Sequence, residues 1–441
     1  MPIKRRICKL EQVEIRRDEL KKCKYLEKSK LNILAFIIVI DLVLGGAGRV
    51  LMIGSAITIR YFLFILAMSY FIFKCIFNNF KTDKNIFYGS VVIFFFFYFI
   101  SIMNGLFNGY AVGDILLSSQ GYLYLFMIFP FTLFIDQIGK VKAVFRIFNR
   151  SAVLLAVLSI IIFLIFKTSP ATYSVINPVL LNLEYGHLSM RYGLPSVFFK
   201  TSAYMAIVFI HELFQYVNLN KERSVQSIVR MVLLLLGCMT TMTMGIWIAL
   251  VMGSIICILL LKGSKKVVSI LTVITLISII FLTFSEFIIT VLSSRLSTGD
   301  SSYIIKVNQL YTMLNVWLEN FLFGKGFGVR ILFVSEIATR EMAKFELFWI
   351  ELLVNMGLIG FVAYTYMTIK TIFKGLKIAK VVPRYDSTQI KALITGLIML
   401  CIISSINPFL NNPIGLGYFI IVMCSVNVYY RKIKSFSKEC Q

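Results

Sequence analysis

Long apolar runs separated by short polar segments fill almost the whole chain. From residue 31 onward, each run is followed by a stretch that carries Lys, Arg, Gly, Pro or Asn. Most runs are close to the roughly 20 residues that a helix needs to cross a bilayer. The pattern therefore predicts an all-α integral membrane protein with about twelve transmembrane helices.

The predicted helices divide the chain into crossings and loops. In the run 229–261 a single helix would be about 50 Å long, so we expect two short helices with a break near residues 243–245. A long extracytoplasmic loop, 286–345, lies between the ninth and tenth helices, and a shorter one, 168–198, precedes the sixth. The other helices are predicted at 31–47, 59–77, 86–103, 114–136, 151–167, 199–217, 267–285, 345–369, 389–406 and 414–430.

Composition and charge agree with a membrane location. The chain has 441 residues, of which 59% are hydrophobic, and too few charges to cover the surface of a soluble protein of this size. Its net charge is +24, but Lys and Arg cluster in alternate loops, as the positive-inside rule requires of cytoplasmic loops. We therefore expect a multi-pass protein of the cytoplasmic (inner) membrane with both termini in the cytoplasm.

Three segments follow from this topology. A basic tail, 1–30, precedes a membrane domain, 31–430, and a second cytoplasmic tail, 431–441, closes the chain. The first tail is expected to bind anionic lipid headgroups rather than nucleic acid. Its length indicates that the first apolar run is a retained helix, because secretory signals have a short charged region.

The eight cysteines indicate neither a disulfide framework nor a metal site. All are predicted in helices or cytoplasmic tails, and no CxxC pair occurs. A disulfide scaffold would need cysteines in outer loops, and a structural zinc site would need closely spaced ligands. We expect neither a metal nor a cofactor.

Most predicted outer loops have few basic residues, but the long loop is an exception, and the loop before the sixth helix, with the first turn of that helix, adds two more. Arginine presents a planar fork that matches phosphate oxygens, and a water-poor site strengthens this pairing. The set predicts an anionic ligand, for example a lipid-linked diphosphate. Alternatively, these residues pair with acids of the same loop, among them Glu319 and Glu341, or bind lipid headgroups. The basic residues concerned are Arg191, Lys200, Arg295, Lys306, Lys325, Arg330, Arg340 and Lys344.

The segment Gly324–Gly328 reads GKGFG and is similar to a glycine-rich phosphate loop. It lacks the GxxxxGK[ST] spacing of a nucleotide-binding loop and lies on the predicted outer side. A tight turn is the alternative interpretation.

Two acids stand at the start of the tenth predicted helix. Glu346 and Glu351 lie in an otherwise apolar segment, where a carboxylate is costly unless it is exposed or functional. Either acid is a candidate general base. Alternatively, Glu346 pairs with Lys344 or Arg340 at the helix start, where the helix dipole favours an acid, and Glu351 is a structural partner.

Other charged residues within helices have structural interpretations. His211 and Glu212, near the cytoplasmic end of the sixth helix, are expected to be structural. Asp41, inside the first helix, would suit a proton site in a transporter, although a lone buried acid is more often hydrogen-bonded to a neighbouring helix.

The stretch from Arg295 to Phe361 resembles the O-antigen polymerase and ligase superfamily, the Wzy/WaaL-type glycosyltransferases. The family pattern has an arginine shortly after a helix, then a glycine-rich turn, then a helix that begins with His or Glu and ends in Gly-Leu-x-Gly. The corresponding segments here read SSRLSTGDSSY, LENFLFGKGFG and FELFWIELLVNMGLIGF, and RYGLPSVFFKTSAYMA is similar to the other arginine segment of the family.

Two positions depart from the family pattern. Ligases of the superfamily usually have His where this chain has Glu346, so the substitution resembles a polymerase. The family often has a Ser-Arg pair between its seventh and eighth helices, whereas TMTMG stands at this position here.

The resemblance implies a metal-independent transferase that uses polyprenyl (undecaprenyl) diphosphate-linked oligosaccharides as donor and acceptor. A base deprotonates an acceptor hydroxyl, which displaces polyprenyl diphosphate from the donor with inversion, at a site facing the outside. A chain-length regulator is a further possible partner. A ligase of the same fold and a flippase or transporter for lipid-linked glycans are the alternatives. The expected roles are Glu346 as base, Arg191, Arg330 and Arg295 at the diphosphates, and Lys325, Arg340, Tyr303 and Glu351 as further substrate contacts.

Overall fold

The chain was analysed as a computed structural model. The structure describes residues 31–49, 52–53, 57–77, 84–191, 193–218, 225–275, 278, 301–334 and 339–439. Within these ranges only the backbone is described at 52, 53, 57, 301–303, 334, 339, 340 and 436–439.

The described residues form a helical bundle with three small hairpins. The hairpin strands pair antiparallel, β1 (Met52–Ile53) with β2 (Ile57–Thr58), β3 (Gly186–Arg191) with β4 (Leu194–Phe199), and β5 (Ile331–Val334) with β6 (Thr339–Met342). The helices are α1 (Ile33–Leu44), α2 (Ile59–Phe77), α3 (Tyr88–Phe107), α4 (Val112–Ser119), α5 (Ile128–Phe134), α6 (Ile138–Thr168), α7 (Tyr173–Asn182), α8 (Ala203–Asn218), α9 (Val225–Thr240), α10 (Met244–Leu260), α11 (described over 264–275), α12 (Ser301–Glu319), α13 (Phe348–Ala379), α14 (Arg384–Ser404) and α15 (Pro413–Glu439).

The described helices support an all-α membrane protein. Seven segments are long and apolar enough to cross a membrane, counting α4, α5 and the 3₁₀ turn between them (Gln120–Met127) as one. Three shorter helices, α1, α9 and α10, are also apolar. The predicted break in 229–261 is observed between Thr240 and Met244. The count of twelve crossings stays a prediction.

Three sequence predictions differ from the structure. The fifth predicted helix, 151–167, is the second half of α6, because the amphipathic residues 138–150 continue the same helix. The predicted loop 168–198 contains α7 and a hairpin, and the long loop 286–345 contains α12 and a hairpin. Hydropathy identifies only the apolar part of a helix, and it gives little signal for short hairpins.

The helices of the bundle differ greatly in burial. The apolar window of α15 is 89% buried and that of α14 is 72% buried, whereas that of α2 is 22% buried. Helix α15 is therefore the centre of the bundle and α2 lies at its edge. Residues such as Val422, Phe419 and Tyr418 of α15 are fully enclosed.

The turns at the two ends of the bundle have different chemistry. One end, here called the lysine-rich end, carries ion pairs such as Lys142–Asp386 at 2.9 Å and Lys140–Asp136 at 2.8 Å. The opposite end, here called the site end, carries almost all of the candidate residues that the structure describes. It is formed by residues 45–49, 108–111, 183–191, 193–200, 241–243, 320–334, 339–347 and 405–412.

Helix α13 is interrupted at Gly357, which has φ of 66°. The missing helical hydrogen bonds are replaced by residues 321–326, which lie against the break. Leu358 N donates to Phe321 O at 2.9 Å, and Lys325 N donates to Val354 O at 2.8 Å. A non-helical backbone inside a membrane domain needs such partners, because no water is available to replace them.

Candidate functional site

The turn between α14 and α15, residues 405–412, joins the candidate residues at the site end. Ile406 O accepts a hydrogen bond from Lys306 Nζ at 3.2 Å. Asn411 Nδ2 donates to Glu351 Oε2 at 2.8 Å. A Cβ added to Gly245, at the start of α10, would lie 3.1 Å from Asn407 Nδ2. One short turn therefore contacts α10, α12 and α13.

Glu346 lies at the site end just before α13 and remains partly exposed. Its Oε2 lies 3.4 Å from Lys306 Nζ of α12, which also donates to the Ile406 carbonyl. The contact places a positive charge beside the carboxylate and holds its side chain in position. The structure thus pairs Glu346 with Lys306 rather than with Lys344, one of the two partners that the sequence suggested. The other, Arg340, is described only by its backbone.

Arg191 ends β3 and reaches the turn between α9 and α10. Its Nη1 donates to Met242 O at 3.2 Å, and Ser196 Oγ of the paired strand donates to Thr241 O at 3.0 Å. The hairpin therefore covers this turn. The turn sequence TMTMG has no arginine of its own, and Arg191 brings a guanidinium to this turn.

A second cluster of charges fixes the base of the β3–β4 hairpin. Glu184 accepts from Arg49 at 3.0 Å and from Lys200 at 3.2 Å. His187 of β3 packs its ring against Phe198. Burial, followed by the charges of Arg191 and Lys200, lowers the pKa of His187 below its ordinary value. Lys200 is thus occupied by Glu184, and His187 favours its neutral form.

Arg330 makes a two-pronged ion pair with Asp114, at the start of α4. Arg330 Nε and Nη2 donate to the two carboxylate oxygens at 2.6 and 3.0 Å, and Glu341 lies 3.9 Å from Nη1. This hydrogen bond and charge raise the pKa of Arg330 above its ordinary value. The main partner thus comes from α4 rather than from the loop that contains Arg330, and a diphosphate would have to share Arg330 with Asp114.

The GKGFG segment is a packing element whose backbone donors are used internally. The amides of Lys325, Gly326 and Phe327 donate to Val354 O, Asn355 O and Ser101 O, and Gly328 N donates to Ser118 Oγ. A Cβ on Gly326 would lie 2.4 Å from Gly105 N. Because a phosphate loop needs free amides, the geometry favours the tight-turn interpretation. Lys325 itself pairs with Glu319 at 2.6 Å.

Glu351 is fully buried and cannot contact a substrate in this conformation. Its Oε2 accepts a hydrogen bond from Asn411 Nδ2. Its Oε1 has no hydrogen-bond partner among the described residues. Buried atoms of Asn355, Asn411 and Tyr122 also have no partner within the described residues. This polar cluster lies directly beneath the turn 405–412 and ties that turn to α13.

Replacing Asn411 by leucine should destabilise the bundle. The change would leave the buried Glu351 carboxyl without its donor, and such a group costs about 1–3 kcal/mol. We expect a melting temperature several degrees below that of the parent, measured in detergent. In the double variant Glu351→Leu with Asn411→Leu, part of the loss should be recovered because neither polar group remains. An unchanged melting temperature for N411L alone would contradict this role.

The remaining candidate residues are only partly described. Arg295 lies outside the described residues. Tyr303, in the first turn of α12, and Arg340, in β6, are described only by their backbone. Their predicted substrate contacts therefore stay predictions.

Residues with structural interpretations are buried and paired. Asp41 accepts from Arg60 Nε at 2.9 Å, and Arg60 is 4% exposed. His211 contacts Asn149 and Tyr418, each at 3.0 Å. Asp41 thus bonds to a neighbouring helix, which is the structural interpretation given for it in the sequence analysis.

Sequence reasoning did not predict the contacts of three residues at this end. Asp114 pairs with Arg330, Lys306 contacts Glu346, and Asn411 holds Glu351. Lys306 was recognisable only as one of several basic residues in the long loop. Asp114 and Asn411 had no local signal, because their partners are 216 and 60 positions away.

Comparison with known proteins gives two similarities. A family model described as "O-Antigen ligase" matches residues 229–365, which include Lys306, Arg330 and Glu346. A protein of Shigella flexneri named "O-antigen polymerase" is 25% identical over 384 residues, covering 86% of this chain and 90% of that protein. The second similarity extends over the β3–β4 hairpin as well as over the long loop. Together with the membrane-spanning helices and the charged site end, these similarities support a relationship to the Wzy-type O-antigen polymerase and ligase family.

Proposed function

We propose that this chain polymerises polyprenyl diphosphate-linked oligosaccharide repeat units into O-antigen or a capsule-like polysaccharide. The reaction would take place at the outer face of the cytoplasmic membrane. The observation that carries the proposal is the turn 405–412 and its surroundings. Lys306 contacts this turn and pairs with Glu346. The turn also contacts the start of α10, which follows the turn that Arg191 reaches. Similarity to an O-antigen polymerase over most of both chains supports the same reaction.

Glu346 is proposed as the base or acceptor-orienting group. The acceptor hydroxyl gives its proton to the Glu346 carboxylate, and the oxygen forms a bond to the anomeric carbon of the donor glycan. The bond from this carbon to the diphosphate breaks, and the leaving oxygen keeps the electron pair. Attack opposite to the leaving group inverts the anomeric carbon. Lys306 positions the Glu346 carboxylate through their contact at 3.4 Å.

Basic residues at the site end are proposed to stabilise the leaving diphosphate. Negative charge grows on its oxygens as the bond breaks, and donors fixed in advance stabilise this charge strongly. Arg191 is held by the turn between α9 and α10, and Arg330 is held by Asp114. We assign these two to the diphosphates, with Arg295, Lys325, Arg340 and Tyr303 as further contacts. Polyprenyl diphosphate is a good leaving group, so no metal and no strong general acid are assigned.

Replacing Arg191 by alanine should lower the polymerisation rate by about 10²–10³-fold, the usual size for one donor to a developing anion. Arg330→Ala should lower it by a similar factor. Arg191→Lys is the matched control, because it keeps the charge but loses the planar fork. The rate is measured with purified protein and lipid-linked repeat units. Near-normal polymer from the double variant Arg191→Ala with Arg330→Ala would end this assignment.

A variant of Asp114 separates two roles of Arg330. Asp114→Asn removes the main charge partner of Arg330 but leaves the guanidinium available to substrate. A contact with diphosphate predicts that D114N is far more active than R330A at the same melting temperature. Equal rates and equal melting temperatures for both variants would show that Arg330 only holds Asp114.

The proposed function is tested by deleting the gene and separating surface and lipid-linked glycans by size. Accumulation of single repeat units, with at most one unit on the final acceptor, is the expected result. Purified protein should also elongate lipid-linked repeat units in detergent. Failure of both results would reject the proposal.

A ligase of the same fold is the second candidate, because the matching family model is described as an O-antigen ligase. In that case deletion would leave full-length polymer on the carrier lipid. Transport by a flippase is favoured less, because Asp41 is neutralised by Arg60 close to the site end. Elongation in detergent, with no membrane to cross, would exclude pure transport.

The proposed partners are the lipid-linked donor and acceptor glycans, membrane lipids and a chain-length regulator, without nucleic acid. The predicted topology, with both termini in the cytoplasm, would place the lysine-rich end there and the site end outside.

A further inference from the structure

The segment after α12 lies against the middle of a membrane-spanning helix. Phe321 O and Leu322 O accept hydrogen bonds from Leu358 N and Ile359 N of α13, at 2.9 and 3.2 Å. These amides are free because α13 is interrupted at Gly357. The turn Phe321–Phe323, here called the aromatic turn, is therefore fixed at the level of Leu358.

The position of Leu358 along α13 gives the depth of this turn. Lys370, Lys374 and Lys377 mark the lysine-rich end of the helix. Leu358 is twelve residues before Lys370 and sixteen before Lys374, and at 1.5 Å per residue these separations are about 18 and 24 Å. The apolar core of a bilayer is about 30 Å thick. Leu358 and the aromatic turn thus lie inside the apolar layer, several ångströms below its edge at the site end.

The aromatic turn exposes apolar side chains at this depth, and α12 exposes others next to it in the chain. Phe321, Leu322 and Phe323 are 42–51% exposed, although each is strongly apolar. On α12, Ile304, Tyr311 and Leu318 are 40–66% exposed. Their spacing of seven residues places them on one side of the helix. We call these six side chains the leaflet face.

The opposite side of α12 is already occupied by protein. Met313 is fully buried in a small cluster with Val329, Ile331, Phe333 and Phe345. The leaflet face is therefore not the side that attaches α12 to the bundle.

The structure leads us to propose that the leaflet face inserts into the hydrocarbon of the bilayer leaflet at the site end, with lipid acyl chains as its partner. The predicted loop 286–345 would then be partly seated in the membrane rather than entirely in water. Helix α12 does not span the bilayer, since it carries Lys306 and Glu319 and several amides, which suits a helix in the interface. The backbone of the aromatic turn meets the requirement for internal hydrogen bonds through α13.

Insertion of this face has a consequence for the site. Lys306 and Lys325 belong to the same segment as the leaflet face, and Glu346 is paired with Lys306. These groups would be held at the height where the headgroup of a membrane-bound substrate lies. The depth of the aromatic turn and the exposure of the leaflet face are independent of the reaction that the protein performs.

Cysteine labelling in lipid nanodiscs tests the proposal, because both faces of the protein are accessible there. Leu322→Cys and Leu318→Cys are compared with Glu341→Cys, an exposed residue of β6. The parent protein supplies the background from its native cysteines. With a membrane-impermeant maleimide, L322C and L318C should react at least about tenfold more slowly than E341C, because thiols in hydrocarbon do not ionise. All three should react equally after denaturation in SDS.

Quenching by brominated lipids distinguishes lipid from protein contact. A bimane label introduced at L322C before reconstitution should be quenched by lipids brominated near the top of the acyl chain, whereas a label at E341C should not. Fast maleimide labelling of L322C and L318C would place this face in water and overturn the proposal. Slow labelling without quenching would show that protein covers the face and would overturn it equally. Melting temperatures near that of the parent confirm that the variants are folded.

Discussion

Glu346→Gln should remove almost all polymer formation while leaving the folded protein intact. Glutamine has nearly the same shape as glutamate but cannot accept the hydroxyl proton, and loss of a general base lowers rates by about 10²–10⁴-fold. Glu346 is partly exposed and its ion pair with Lys306 is 3.4 Å long, so little stability should depend on it. The measurement is the initial rate of elongation of lipid-linked repeat units.

Glu341→Gln is the matched control for this experiment. Glu341 lies in β6, five residues before Glu346, and is exposed. Its Oε2 lies 3.9 Å from Arg330 Nη1. E341Q should keep a rate within a few-fold of the parent. Polymer formation by E346Q at the rate of E341Q would show that Glu346 is not the base, and Glu346 would then remain only a partner of Lys306.

Gly357→Ala should have the largest effect on stability. Gly357 has φ of 66°, where a side chain is strained. A Cβ there would lie 2.2 Å from Leu322 O and 2.4 Å from Leu322 C, both backbone atoms that cannot rotate away. We expect a loss above about 4 kcal/mol or failure to fold, which is the exceptional range for one substitution.

Gly89→Ala is the control for Gly357→Ala. Gly89 lies within α3, and a Cβ there would meet nothing within 4 Å. Alanine should be neutral or stabilise the helix by up to about 1 kcal/mol. Thermal melting followed by size-exclusion chromatography in detergent compares the two. A melting temperature for G357A equal to that of G89A would mean that the break in α13 is not required by the fold.

The sequence predicted the local parts of this fold well. Hydropathy gave α2 with its observed ends, and it gave the break between α9 and α10 because a run of 33 residues is too long for one crossing. It missed the first half of α6, whose charged residues lower the mean hydropathy. It also missed the β3–β4 hairpin, where the alternation is short and mixed with glycine and proline.

The candidate site was predictable only in its residue types. Glu346 was recognisable from its place at a helix start and from the family pattern. The pairing of Arg330 with Asp114 joins residues 216 positions apart, and no local pattern carries that information. The two acids of the tenth helix looked alike in sequence, yet Glu351 is enclosed and Glu346 is not. Their difference depends on the turn 405–412, which covers one of them.

The central position of α15 has a consequence for biogenesis. The helix that fills the middle of the bundle is synthesised after the helices that it packs against, so those helices must enter the membrane before their main partner exists. Asn427 of α15 accepts from Ile86 N at 3.1 Å. Until α15 has been synthesised, the Ile86 amide lacks this acceptor, and the incomplete protein would remain exposed to membrane chaperones and proteases. A chain truncated before Pro413 would therefore lack the centre of the bundle.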